Sequence, residues 1–416
     1  MSSVRTWIVA AVAASLALAT PAEAPASVRR DPLRSIDAPI LRAMRRYGVK
    51  GGVVAVTRRG RLVALRAYGR TGMDPRVRTD PNARFRIASL SKPITAVAIH
   101  LLVAQGRLSL DQPVLDVLAI EPPPDATLDP RWRRVTVRRL LEHSGGWDRM
   151  ETRFDPTFES RTIAKSLGVA LPPTLEDIVR YMLGQPLDFE PGTRYAYSNF
   201  GYSLLGLVIE RTTGEPYEAW VRTHVLAPMG IRRMEIGHEL VRDRPADETL
   251  YFDDPDEGLA PNLFSEAHEL VPPSDGGFAM APMAAHGGWI ASAADYARFL
   301  VHVDGLPSPP DLLPSAELEA MLAPPSHRDF DPREGWYGHG FDVIPQANGE
   351  RIWSHTGAKP GTTTIAVRDP HGFSYVALMN GRPLEGDFSE DLDRAIGAGL
   401  DAVPKWPDVD LFETVP

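Results

Sequence analysis

The chain has 416 residues, a net charge of −9 and no cysteine. That length carries a substantial core, in one large domain or two to three ordinary ones. The acidic balance leaves no basic excess to neutralise phosphates, which argues against a nucleic-acid partner. The lack of cysteine excludes disulfides, thiolate metal sites, a cysteine nucleophile and a lipid-modified cysteine.

Residues 1–26 read as an export signal. Arg5 gives a positive start, Trp7 to Ala19 an apolar stretch, and Ala22-Glu23-Ala24 or Ala24-Pro25-Ala26 a small-residue cleavage site. Cleavage after Ala26 is preferred, because it leaves Ser27 rather than Pro25 at the new N-terminus. The apolar run is short for a membrane span. The expectation is a periplasmic or secreted protein with no stable membrane anchor after cleavage.

Asp37 to Tyr47 has helical spacing, with Ile40, Leu41 and Met44 on one side. Gly52 to Thr57 and Leu62 to Tyr68 read as strands joined by Arg59-Gly60. Then comes Ser89-Leu90-Ser91-Lys92-Pro93, followed by Ile94, Val97, Ala98, Leu101 and Leu102 at the period of a buried or amphipathic helix. Pro93 suits the first turn, and Gly106 stops the helix. Ser89 and Lys92, three apart at the helix start, project from one side. A serine hydroxyl is a poor nucleophile until a nearby group takes its proton, and a desolvated lysine can do so where arginine cannot. The alternative is a capping serine beside a solvated lysine. Among the chain's lysines (Lys50, Lys92, Lys165, Lys359 and Lys405) only Lys92 follows a serine by three.

Val135 to Leu141 reads as a short helix running into the Gly-rich loop His143-Ser144-Gly145-Gly146. Met150 to about Leu187 is helical, interrupted at Pro172-Pro173. Tyr197-Ser198-Asn199 precedes a helix with Leu204, Leu205, Val208 and Ile209 as its buried stripe, ending near Gly214. Asp247 to Asp275 lacks periodicity and reads as a long surface loop. Gly287 to Tyr296 opens another helix. Strands are expected over Trp336–Ile344, Arg351–Thr356, Thr362–Val367 and Phe373–Met379, then a final helix from about Glu390 to Leu400. Strands at both ends with helices between suggest a sheet closed by the two termini around a helical insertion.

Three motifs stand in order: Ser89-Leu90-Ser91-Lys92, Tyr197-Ser198-Asn199 and His355-Thr356-Gly357. Together they resemble the serine β-lactamase and penicillin-binding-protein superfamily, in its class C-like branch, over about Ile36 to Leu400. The resemblance implies an α+β fold of the β-lactamase/transpeptidase type, an antiparallel sheet flanked by terminal helices with an inserted all-helical lobe. It implies one catalytic domain over 27–416, its sheet lobe about 36–90 and 290–402 and its helical lobe about 91–289.

By the same resemblance Ser89 is the acylated nucleophile, Lys92 its base and Tyr197 the proton relay, as phenolate or phenol. Asn199 would bind Lys92 and the substrate amide, and the backbone N–H groups of Ser89 and Ala358 would form the oxyanion hole. His355 and Thr356 would face the substrate, with Gly357 allowing close approach. Singly, Tyr197 reads as a core aromatic, Asn199 as a helix cap and His355 as a satisfied sheet histidine. His143-Ser144-Gly145-Gly146 reads as a turn beneath the site.

Many relatives carry lysine at the position of His355. The histidine form resembles secreted D-alanyl-D-alanine carboxypeptidases, D-aminopeptidases and related esterases. The expected function is an exported serine hydrolase of D-Ala-D-Ala carboxypeptidase or carboxylesterase type. The alternatives are a class C-like β-lactamase and a penicillin-binding or sensing protein that does not turn over. Its partner would be a small-molecule or peptide substrate: an ester, a D-amino-acid peptide or a β-lactam. No metal or other cofactor is needed. A free His355 would change charge between about pH 5 and 8 and meet a substrate carboxylate.

Overall fold

The run Val53-Val54-Ala55-Val56 is apolar without alternation, as a strand covered on both faces should be. In the computed structural model, which describes residues 33–416 except 75, 266 and 268, it lies second from one edge of a seven-stranded sheet. The proposed export segment lies outside the described residues. From edge to edge the strands are Arg61–Gly69, Gly51–Arg58, Phe373–Met379, Thr362–Asp369, Arg351–Lys359, Asp342–Pro345 and Trp336–Tyr337. Every neighbouring pair is antiparallel. The Arg59-Gly60 turn has both residues at positive φ, 49° and 77°, as a tight hairpin between twisted strands requires.

Successive side chains point to opposite faces. Val54 and Val56 pack with Ile40, Met44, Leu392 and Ile396 of the helices Asp37–Arg46 and Phe388–Asp401. Val53 and Ala55 join the larger core on the other side, with Val376 and Phe299 of the helix Ala293–Val301. The sheet is thus built from the two ends of the described chain.

Between them lie the helices Ser91–Ala104 and Asn199–Thr213. Ser91–Ala104 is buried on all sides apart from Leu101, Val103 and Ala104. Its polar residues are satisfied from neighbouring elements: Thr95 Oγ1 lies 2.6 Å from the Tyr217 hydroxyl, and His100 Nδ1 lies 2.7 Å from Glu317 Oε2. Among the described residues no helix is long and apolar enough to cross a membrane.

Three local expectations are corrected. Trp289–Ser292 is a short strand before the helix Ala293–Val301. The strand expected over 336–344 is split, because Gly338-His339-Gly340 turns in against Ser91–Ala104. A Cβ on Gly340 would stand 2.9 Å from Ala96 Cβ and 3.0 Å from Pro93 Cα. The stretch 247–275 is not wholly a surface loop. The Glu248 side chain is fully buried, and the Tyr251 hydroxyl accepts the Arg86 N–H at 2.7 Å. They are drawn inside to serve Arg86, whose buried guanidinium donates to the carbonyls of Ser274 and His238 and lies 4.6 Å from the Tyr251 ring.

Candidate active site

From Ala83 to His100 Ser89 is the only residue that is not buried. It sits in a single 3₁₀ turn, Ala88–Leu90, that feeds straight into Ser91–Ala104. Ala88 holds a left-handed backbone, φ 48°, which disfavours residues with a Cβ and is kept only where the surroundings enforce it. Here the enforcement comes from the sheet. Thr364 Oγ1 donates to the Ile87 carbonyl at 2.9 Å, and the Ile87 N–H donates to the Trp289 carbonyl at 3.0 Å. Gly357 completes the seat, since a Cβ there would stand 2.7 Å from the Ile87 carbonyl oxygen and 2.9 Å from the Ser89 nitrogen. Only glycine lets the strand Arg351–Lys359 lie this close to the serine turn.

Lys92 Nζ stands 3.1 Å from Ser89 Oγ, 2.8 Å from Asn199 Oδ1 and 3.1 Å from the His286 carbonyl. Burial holds its pKa well below the ordinary lysine value, and the Arg149 charge lowers it further while Asp155 opposes. A neutral amine has two N–H bonds and one lone pair. Asn199 and His286 take the two N–H groups, so the lone pair is directed at the Ser89 hydroxyl. Asn199 is itself oriented: its Nδ2 donates to Asp155 Oδ2 at 2.7 Å.

The Tyr197 hydroxyl donates to Ser89 Oγ at 2.9 Å. Lys92 Nζ lies 4.7 Å and the Arg149 guanidinium 5.1 Å from the Tyr197 ring centroid. Burial nevertheless outweighs the Ser89 hydrogen bond and the Arg149 charge and pushes the phenol above its usual pKa. Of the two states expected for Tyr197, burial favours the phenol. Beneath it His143, with φ 54°, accepts the Ser198 N–H on Nδ1 at 3.1 Å and packs its ring 4.3 Å from that of Tyr197. Ser144 is fully buried and donates to the Arg139 carbonyl.

The sequence motif His355-Thr356-Gly357 is divided by the pleat. His355, Gly357 and Lys359 face inward, whereas Thr356 and Ala358 are exposed. The open imidazole expected at His355 is therefore corrected. Only 3% of His355 is exposed; its Nδ1 lies 2.6 Å from the Thr356 carbonyl and its Nε2 3.0 Å from the Tyr337 hydroxyl. Those partners fit a neutral ring, with Nδ1–H donating and Nε2 accepting. Burial takes the pKa down to about 3, and a proton on Lys92 would act in the same direction. The expected charge change between pH 5 and 8 is absent.

Two residues at the site have no motif to announce them. Arg149 and Asp155 lie in the stretch after the Gly-rich loop, and Arg149 NH1 stands 3.4 Å from Asp155 Oδ2. Only the long-range approach to Asn199 and Tyr197 singles them out. They border a cavity of about 240 Å³ whose walls include Trp147, Phe154, Tyr181 and Met182, with Asn199 at its edge. A larger hollow of about 640 Å³, between Tyr47, Phe252, Pro273 and Arg382, shares no residue with the serine cluster.

A model of the Beta-lactamase family matches residues 36–400. Esterase EstB of Burkholderia gladioli is 34% identical over 198 residues, 47% of this chain and 50% of that protein. Penicillin-binding protein 4* of Bacillus subtilis is 26% identical over 322 residues, 76% of this chain and 65% of that protein. The chain thus spans less than two thirds of the length of these curated relatives. The D-amino acid amidase of Ochrobactrum anthropi SV3 superposes with a TM-score of 0.68 at 25% identity, over 90% of this chain and 98% of that one. With a family match over residues 36–400 and Ser89 in contact with both Lys92 and Tyr197 beside an antiparallel sheet, this chain belongs to the Beta-lactamase family.

Proposed function

We propose that the protein hydrolyses esters or amides through an acyl-enzyme on Ser89. Neutral Lys92 takes the Ser89 proton as Oγ bonds to the substrate carbonyl carbon, and the Ser89 and Ala358 N–H groups receive the developing oxyanion. The bond to the leaving group then breaks, and the Tyr197 hydroxyl gives that group its proton while Lys92 returns the stored proton to Tyr197. Water attacks the acyl carbon by the same route and regenerates Ser89. The observation that carries this reading is that Lys92 Nζ lies 3.1 Å from Ser89 Oγ while Asn199 Oδ1 and the His286 carbonyl are there to accept both N–H groups of a neutral amine.

Within that chemistry the reading favours an ester or amide without a carboxylate on its leaving group, ahead of a D-Ala-D-Ala peptide, with β-lactams third. His355 is neutral with both nitrogens engaged. Arg149, the cation beside Tyr197, is already faced by Asp155. The acyl side is assigned to the cavity next to Asn199. A void of about 150 Å³ holds a benzene ring, so 240 Å³ with aromatic walls suits an aryl or branched alkyl acyl group. Similarity to an esterase and to a D-amino acid amidase supports the same order. Export is part of the proposal and rests on residues 1–26, with N-terminal sequencing of the mature protein as its check.

The test compares a p-nitrophenyl phenylacetate, a D-Ala-D-Ala peptide and a cephalosporin. Turnover is expected in that order, and a cephalosporin cleaved faster than the ester overturns the substrate assignment. An adduct that forms on Ser89 and never leaves would instead favour the sensing alternative.

A further inference from the structure

Lys359 is the second buried lysine at this end of the molecule, with 3% exposure. Nζ donates to the Gly287 carbonyl at 2.7 Å, lies 3.4 Å from Met280 Sδ and sits 4.9 Å from the Phe278 ring centroid. Among the described residues no carboxylate joins these within hydrogen-bonding distance. Enclosing an amine this way is unfavourable, and a methionine of similar length would fill the space without the desolvation penalty. The amine therefore calls for a role that packing does not provide.

Its partner points to the role. Gly287 adjoins His286, whose carbonyl accepts one N–H of Lys92. Both carbonyls belong to one π-helical turn, Ala284–Gly288, set between the serine turn and the strand end that carries Lys359. A Cβ on Gly287 would lie 3.8 Å from the Ala88 carbonyl and 3.9 Å from Lys359 Nζ, so the turn touches both. Two lysines thus grip consecutive carbonyls of one turn.

We infer that Lys359 is a positioning residue for Lys92: by holding the Gly287 carbonyl it fixes the His286 carbonyl, and with it the direction of the Lys92 lone pair. The same bond ties this turn to the strand end that presents Ala358, so base and oxyanion donor keep a constant relation. This rests on the reading of Lys92 as the base. Electrostatics adds to the effect. Burial holds the pKa of both amines well below the ordinary lysine value, and a proton on Lys359 lowers that of Lys92 further, together with Arg149 and against Asp155. The other groups around the two amines are His143 and His286, both held neutral by burial, and Arg86, Glu239 and Glu248 behind Lys359.

The experiment is time-resolved labelling by a fluorescent alkyl fluorophosphonate across pH, on the parent, Lys359→Met and Lys359→Arg. The parent is expected to label once, on Ser89. Lys359→Met should reach the same final labelled fraction at least about tenfold more slowly at saturating probe, with an unchanged half-saturating concentration, as a slightly misdirected base would give. Its acid limb should move to higher pH, because a proton on Lys359 no longer competes with one on Lys92. Lys359→Arg keeps a donor and a charge and should label faster than Lys359→Met. A parent-like rate and acid limb in Lys359→Met overturns the inference alone. So does a loss carried wholly by the labelled fraction, since that is a folding defect. A parent with no label on Ser89 overturns both the inference and the acyl-enzyme reading.

Discussion

The Tyr337 hydroxyl stands 3.0 Å from Nε2 of His355, and this bond decides what the histidine can do. With Nε2 accepting from Tyr337 and Nδ1 donating to Thr356, the ring has no free donor for a substrate. The kcat/KM of a carboxylate-bearing peptide and of a neutral ester should therefore share one shape between about pH 5 and 8. An extra decline for the peptide alone would show a histidine titrating against its carboxylate.

The same burial leaves a signature in stability. His355 is neutral in the folded protein down to about pH 3 but gains a proton in the unfolded chain below about 6.5. Its contribution is complete above pH 6.5 and is lost progressively as pH falls toward 3. His355→Gln should lose less melting temperature than the parent between pH 7 and pH 5. Equal losses would mean that His355 is already protonated in the fold.

Ser89→Ala should abolish fluorophosphonate labelling, while Ser91→Ala and Ser144→Ala keep it. Ser91 and Ser144 are fully buried, and Ser91 Oγ already accepts the Trp289 N–H. Peptide mapping that placed the adduct on either one would overturn the assignment.

Lys92→Arg should lower acylation at least about 100-fold, because a guanidinium stays protonated where an amine can accept the serine proton. Arg149→Met removes a like charge and should move the acid limb of kcat/KM to higher pH. The limb marks the protonation of Lys92, so an unmoved limb would assign it to another group.

Thr152 is exposed at the edge of the cavity beside Asn199, and Thr152→Trp should narrow the opening without disturbing the core. A phenylacetyl ester is expected to lose about tenfold in kcat/KM relative to an acetyl ester, the scale on which apolar pockets discriminate. Equal losses on both esters would place the acyl group elsewhere.

What was legible in the sequence was local. Ser89 and Lys92 face one way because a helical turn fixes side chains three apart, and the observed 3.1 Å contact follows from that spacing. The strands on either side of Arg59-Gly60 likewise follow from pattern and turn chemistry. The alternation of His355, Gly357 and Lys359 against Thr356 and Ala358 is also implicit in a strand, but not which set faces inward. That was decided by Tyr337 from the neighbouring hairpin and by the serine turn pressed against Gly357. Asp155 reaches Asn199 across a gap of 44, Arg149 lies over the ring of Tyr197, and Lys359 meets Gly287 across a gap of 72. Such pairings are set by how separate elements pack, and no local period encodes them. The sequence determined which chemistry was at hand; packing chose the neutral histidine and the aim of the base.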